Sequence, residues 1–274
     1  MRTAHLELLQ PEDWTRPDTF SGSTAPLFLI HDGGGTTFMY AYLSPLHRFV
    51  YGISNPNFER GGAFVGGMQE IGLLYARWIC ETVAGRNFPA RQDDDDDCVD
   101  IMLGGWSFGG LLALEVAKAL ADDPGVRVIG MVMVDSIYPS VKATAAPTPP
   151  PGSEKKEKTR NQVLTEQSME SARGMVKRWT MPVWGPKTQR PRAVLLRAKG
   201  FIPVASGTPD NISPLDYDRR LGGKLGWDQY DVDMFETIID LEGHHFELFS
   251  EEHFNGTTEA LRQALNLLQR MAPR

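Results

Sequence analysis

The chain has 274 residues, 41% of them hydrophobic, and 28 Lys/Arg against 35 Asp/Glu give a net charge of −7. That length buries a large core without division into domains, so one domain over 1–274 is expected, and the acidic balance argues against nucleic acid as a partner. No stretch approaches the ~18 apolar residues of a membrane span, Met1–His5 carries no apolar signal core, and Cys80 and Cys98 lack metal-ligand or redox spacing, so a reducing, cytoplasmic setting away from the membrane is expected.

Taken in order, short apolar runs alternate with longer amphipathic ones, the pattern of a mostly parallel sheet flanked by helices. His5 to Gln10 alternates as an edge strand would. Strands are expected at Leu27–Ile30, Phe49–Ile53, Val99–Leu103, Val128–Val134, Ala193–Leu196 and Thr237–Leu241. Helices are expected over Met68–Val83, Leu111–Ala121 and Thr257–Arg270. In the last, Leu261, Ala264, Leu265 and Leu268 form one apolar stripe. Two stretches interrupt the rhythm. Asp93–Asp97 is five successive aspartates, which repel one another and stay solvated; the alternating ligands and turn glycine of a calcium loop are missing, and no metal site is expected. Thr144–Gly152 holds Pro147, Pro149, Pro150 and Pro151, then a charged, helix-prone segment runs from Ser153 to about Trp179. We read about 140–191 as a helical lid inserted on the end of the sheet where the elbow described next lies. Its Val163, Leu164, Ala172, Met175, Val176, Trp179 and Trp184 are more apolar surface than a linker needs: some would bury the lid, others line an acyl tunnel. Trp106, Met175, Trp179 and Trp184 are the residues expected to face substrate.

Gly104-Gly105-Trp106-Ser107-Phe108-Gly109-Gly110 contains Gly-x-Ser-x-Gly between a predicted strand and a predicted helix. Such a sharp turn exposes the serine hydroxyl above the sheet, and side chains at 105 or 109 would meet neighbouring backbone. A serine nucleophile needs a base, and the base needs an orienting acid. The order Ser, Asp or Glu, His belongs to the α/β-hydrolase fold. His5, His31 and His47 come too early and His253 starts the last helix, leaving His244 and His245 after the final strand. Gly243 permits a tight exit from that strand, and Phe246 packing beneath the loop would fix its neighbour's ring, which favours His245. Asp135 ends the strand after the elbow strand, where a carboxylate can meet an imidazole above the serine. It could also cap its own turn, and Asp210 is the first carboxylate after the next strand. The oxyanion requires two backbone donors: the Phe108 amide, and one from His31-Asp32-Gly33-Gly34-Gly35, a string without the Lys-Ser/Thr ending of a phosphate loop.

These residues, with Val50-Tyr51-Gly52-Ile53-Ser54-Asn55-Pro56, Val134-Asp135-Ser136 and Gly243-His244-His245-Phe246, resemble the thioesterase domains of polyketide synthases and nonribosomal peptide synthetases, most closely those ending fungal iterative polyketide synthases. The resemblance runs from about Pro26 to Leu267. It implies Asp135 as acid, His245 as base and Gly33 as the second oxyanion donor. His31-Asp32 departs from the proline-containing pair common there. It further implies an acyl or polyketide chain carried on the phosphopantetheine arm of an acyl carrier protein or synthase, no cofactor of the enzyme's own, and release by hydrolysis or by intramolecular cyclisation. A general carboxylesterase or lipase would share every catalytic part; a catalytically silent interaction module would need none. Residues 154–192 carry ten Lys/Arg and four Glu, a net +6 on an acidic chain. Because carriers of this class are acidic, that face either steers the carrier or is an ordinary solvated helix surface.

Overall fold

A parallel strand covered on both faces must be apolar on both, and the short runs of this chain meet that demand. The computed structural model describes residues 5–11, 24–62, 64–86, 88, 98–140, 158–185, 189–204 and 212–272. The Asp93–Asp97 run, the 144–152 proline stretch, Lys155, Lys156, Lys187 and Asp210 lie outside the described residues. Seven strands, β1 (Leu6–Gln10), β2 (Leu27–Ile30), β3 (Val50–Ile53), β4 (Val99–Trp106), β5 (Val126–Val134), β6 (Ala193–Ala198) and β7 (Thr237–Leu241), form one sheet in the order β1-β3-β2-β4-β5-β6-β7. Only β1 pairs antiparallel. With the β4 register pairing Gly105 to Ile30 on one side and to Met133 on the other, the carboxyl ends of β2, β4 and β5 lie side by side. Ligands of open α/β sheets gather at that edge.

Alternation along the strands divides the core. Phe28, Ile30, Leu103, Met131, Met133 and Leu195 face α1 (Gly67–Val83) and α2 (Phe108–Ala119), whereas Leu27, Leu29, Met102, Val132, Val194 and Leu196 face α5 (Phe254–Met271). The stripe Leu261, Ala264, Leu265 and Leu268 is buried against the second group, with Leu268 closing on Gly130 of β5. Between β5 and β6 runs α3 (Arg160–Lys177). It starts where Thr159 Oγ1 accepts from Gln162 N while Gln162 Oε1 accepts from Thr159 N, a reciprocal cap that fixes the first turn. A short helix, α4 (Tyr217–Leu221), follows a 3-10 turn at Pro214–Asp216; neither shows in the pattern of apolar residues. Among the described residues no helix is long and apolar enough to cross a membrane.

Leu265 is fully buried in the α5 seam. Leu265→Ala is expected to lower the unfolding free energy by about 2–5 kcal/mol, read by urea denaturation, while activity survives at low temperature because α5 lies across the sheet from α2. A loss under about 1 kcal/mol would mean the seam is loosely packed.

Candidate active site

The turn from β4 into α2 holds Ser107 at φ 55° and ψ −117°, a backbone region that a residue with a side chain rarely occupies. The glycines around it are steric necessities. A Cβ on Gly105 would lie 2.6 Å from Gly109 O, and one on Gly109 would lie 2.7 Å from His31 O at the end of β2. The first pair lies within the turn; the second presses the start of α2 onto β2. From beneath, Tyr40 Oη donates to Ile30 O at 2.7 Å and accepts from Trp106 N at 2.9 Å, tying β2 to β4 under the serine. The first amides of α2 have no carbonyl within the helix to pair with, so the Phe108 N–H stands at the positive end of the helix dipole beside Ser107.

Asp135 follows β5 with φ 44° and is fully buried. Its Oδ1 accepts from Ala198 N at 2.9 Å, and its Oδ2 accepts from His245 Nδ1 at 2.8 Å and from Arg219 Nη2 at 2.7 Å. Burial pushes its carboxyl upward, but the His245 hydrogen bond and the Arg219 charge outweigh that and hold it below the ordinary carboxylate value. The neighbouring histidine turns elsewhere: His244 Nε2 lies 3.2 Å from Glu247 Oε1. His245 is clamped between Trp106, 5.4 Å below, and Phe246, edge-on at 4.9 Å. Phe246 does not pack beneath the loop as expected. It stands 49% exposed at the rim, and Trp106 is the residue that supports the imidazole from within.

Ser107, Phe108, Gly33, Trp106, His245 and Asp32 line one cavity of about 150 Å³, a size that admits a benzene-sized group. Among the described hydrogen bonds none joins Ser107 Oγ to His245; with Nδ1 held by Asp135, it is Nε2 that is left for the serine. Catalytic contacts of this kind tighten when substrate arrives. A Cβ on Gly33 would sit 3.9 Å from both Phe108 Cβ and Met169 Cγ, so Gly33 is placed beside the α2 amide without being crowded. The glycine demanded by this loop is Gly35, at φ 87° under Ser168 of α3.

Helix α3 closes one wall of the cavity with Met169, Ala172, Arg173 and Val176, spaced as one helical face. Met175, Trp179 and Trp184, expected to face substrate, turn into the body instead. Met175 is buried in the core with α1 and α2. Trp179 Nε1 donates to Glu115 Oε2 of α2 at 2.8 Å, and Trp184 Nε1 to Tyr230 Oη at 2.9 Å. Their polar edges need buried partners, and the body supplies them. The basic surface is likewise answered locally: Lys158, Arg160, Arg173, Arg190 and Arg192 pair with Glu166, Glu59, Glu170, Asp231 and Glu236. Glu166 and Glu170 already enter the net +6 of 154–192, so only Glu59, Asp231 and Glu236 set carboxylates of the body against it.

Residues 90–181 match the family model described as the thioesterase domain. The probable thioesterase BOA10 of Botryotinia fuckeliana is 30% identical over 251 residues, covering 90% of this chain and 86% of that protein. The nonribosomal peptide synthetase imqB of Aspergillus flavus is 30% identical over 266 residues, covering 88% of this chain and 8% of the synthetase. In structure, the NocB thioesterase domain from the nocardicin cluster superposes with a TM-score of 0.65 at 23% identity, covering 96% of this chain and 100% of that one; this likeness establishes a shared fold.

His31 and Asp32 bear opposite signatures. Burial holds His31 down to about 4, hence neutral, while its ring meets Tyr75 Oη at 2.8 Å. Burial also raises Asp32 to about 6, although Gly34 N donates to its Oδ1. A carboxyl raised by folding is an uncharged group the folded state prefers, so its contribution to stability falls as pH climbs from the unfolded value near 4 to about 6. Asp32→Asn keeps the acceptor and removes the charge. It is expected to leave stability unchanged near pH 4 and to raise it by roughly 1–3 kcal/mol above pH 6, as read by urea titrations at the two pH values. An equal effect at both would show that Asp32 ionises freely.

Proposed function

The chain belongs to the thioesterase family, and from that premise we propose that it cleaves a carrier-bound acyl thioester through Ser107, with His245 as base and Asp135 as its orienting acid. The observation that carries this reading is the 2.8 Å bond from His245 Nδ1 to Asp135 inside a cavity that Ser107 also lines. That bond selects the tautomer whose Nε2 can take the serine proton.

Ser107 Oγ attacks the thioester carbonyl while His245 Nε2 removes its proton. The carbonyl oxygen becomes an oxyanion, met by the amides of Phe108 and Gly33. Collapse breaks the C–S bond, and His245 returns the proton to the departing thiolate of the phosphopantetheine arm, leaving an acyl ester on Ser107. Water, or a hydroxyl or carbon of the chain itself, then attacks that ester with the roles reversed. An acyl or polyketide chain borne by an acyl carrier protein is the substrate class we assign; the synthetase relative, in which the matching segment is a small part of a much longer chain, supports a carrier as its source. Within the segment read as a lid, α3 forms one wall of the cavity, and the apolar lining of Leu111, Ile137, Met169 and Val176 suits a hydrocarbon chain.

Ser107→Ala is expected to abolish turnover with the fold intact, and Asp135→Asn to lower kcat by roughly 10⁴-fold through loss of the correct tautomer. Rapid acid quench of the wild-type protein with an acyl-carrier thioester should trap an acyl adduct on Ser107, detected by intact-protein mass spectrometry, and His245→Ala, which lacks the base for the first step, should form little of it. Turnover retained by Ser107→Ala would sink the mechanism. Faster cleavage of simple esters than of carrier thioesters would point to the esterase reading instead.

A further inference from the structure

A second layer of charge stands behind the proposed acid and base. Arg219, on α4, has a side chain only 6% exposed and spans two carboxylates that are fully buried. Its Nη2 donates to Asp135 Oδ2 at 2.7 Å and its Nε to Asp216 Oδ1 at 3.1 Å, while Nη1 donates to Ala198 O. Ala198 N donates in turn to Asp135 Oδ1, and Ile202 N to Asp216 Oδ2 at 2.7 Å. The guanidinium, the end of β6 and the acid therefore close a ring of hydrogen bonds in which Asp135 can adopt one orientation. From this geometry we propose that Arg219 and Asp216 are positioning residues that fix the orientation of Asp135 and set the net charge that meets the imidazolium formed when His245 takes the serine proton.

The electrostatics give the two residues opposite effects. In the resting site Asp135, Arg219 and Asp216 sum to one negative charge, and protonation of His245 brings the cluster to zero. Arg219 and His245 bond the same carboxylate oxygen, so the guanidinium opposes the imidazolium directly. Asp216 offsets part of that opposition. Without Arg219 two buried negative charges would face His245 and hold a proton on it. With Asp216 made neutral, Arg219 would stand against a single acid and disfavour the imidazolium. Among the described residues, Asp32 from the loop after β2 acts on His245 through its charge, and Arg173 of α3 lines the same cavity. On its own loop, His244 and His253 both lie against Glu247. Each of these is unchanged between the variants.

This inference rests on the proposed roles of Ser107, Asp135 and His245, and the experiment separates the two. The rate at which a fluorophosphonate labels Ser107, followed by intact mass, is measured against pH for wild type, Arg219→Gln, Arg219→Lys and Asp216→Asn, with Ser107→Ala and His245→Ala alongside. Arg219→Gln is expected to move the acid limb of the profile upward by about one pH unit and Asp216→Asn to move it downward; Arg219→Lys, which keeps the charge, should stay near wild type. Should Arg219→Gln not fold, the Asp216→Asn and Arg219→Lys pair still reads the direction. Shifts of the same sign, no shift, or a loss equal at every pH would overturn the inference and leave the triad standing. Labelling that survives in Ser107→Ala would overturn the triad reading and this inference with it.

Discussion

A carboxylate that no water reaches must have its charge answered by protein, and Asp135 is such a group. Much of the carboxyl edge of the sheet is arranged to answer it. The end of β6 offers the Ala198 amide, the loop after β7 offers His245, and α4 brings Arg219. Strand order makes this possible: β5 lies between the elbow strand β4 and β6. A side chain leaving β5 can therefore reach toward the serine and toward the ends of β6 and β7 together. The positive φ of Asp135 is the local cost of aiming it there, of order 1–3 kcal/mol for such a residue, and the hydrogen bonds on both carboxylate oxygens hold it in place.

What the sequence made legible follows from range. The elbow is a local motif whose constraints act within five residues and one neighbouring strand, so Gly105, Ser107 and Gly109 could be read directly. The strands were legible because burial on both faces requires continuous apolar runs, and the α5 stripe because one-sided burial requires a 3.6-residue period. His244 and His245 are adjacent and chemically identical; only the direction of the loop sends one to Glu247 and the other to Asp135. Arg219 and Asp216 gave no signal. They lie 84 and 81 positions from Asp135 along the chain, in a short turn-and-helix unit without periodic apolar residues. A charged residue is usually read as surface. The absence of an acid close after β6 could have prompted the question of what else meets Asp135 there.

Side-chain direction in and after α3 is a different matter from composition. Composition showed that this segment carries apolar surface in excess of a linker, which is right, but not which way each side chain points. A helix rotates by 100° per residue, so Met175 and Val176 face different surroundings: the first enters the core, the second the cavity. The tryptophans, expected at the substrate as part of that apolar surplus, are placed by their N–H groups. Trp179 and Trp184 need acceptors, and Glu115 and Tyr230 provide them within the body.

Those anchors give α3 a second consequence. Besides walling the cavity, the helix rests on the loop that carries Gly33. Thr165 lies over Gly34, Ser168 over Gly35 and Met169 over Gly33, while Asn55 Nδ2 reaches Ser168 Oγ at 3.5 Å. The far end of α3 is fastened to α2 through Trp179 and Glu115, and α2 begins at Phe108. Both backbone amides proposed to meet the oxyanion are thus braced by one helix: one by direct contact, the other through the helix that presents it. A chain entering between α3 and the elbow would press on the same surfaces that set the spacing of the two donors. In the proposed mechanism, substrate shape and oxyanion geometry would be joined mechanically, because well-packed surfaces transmit displacement rather than absorb it.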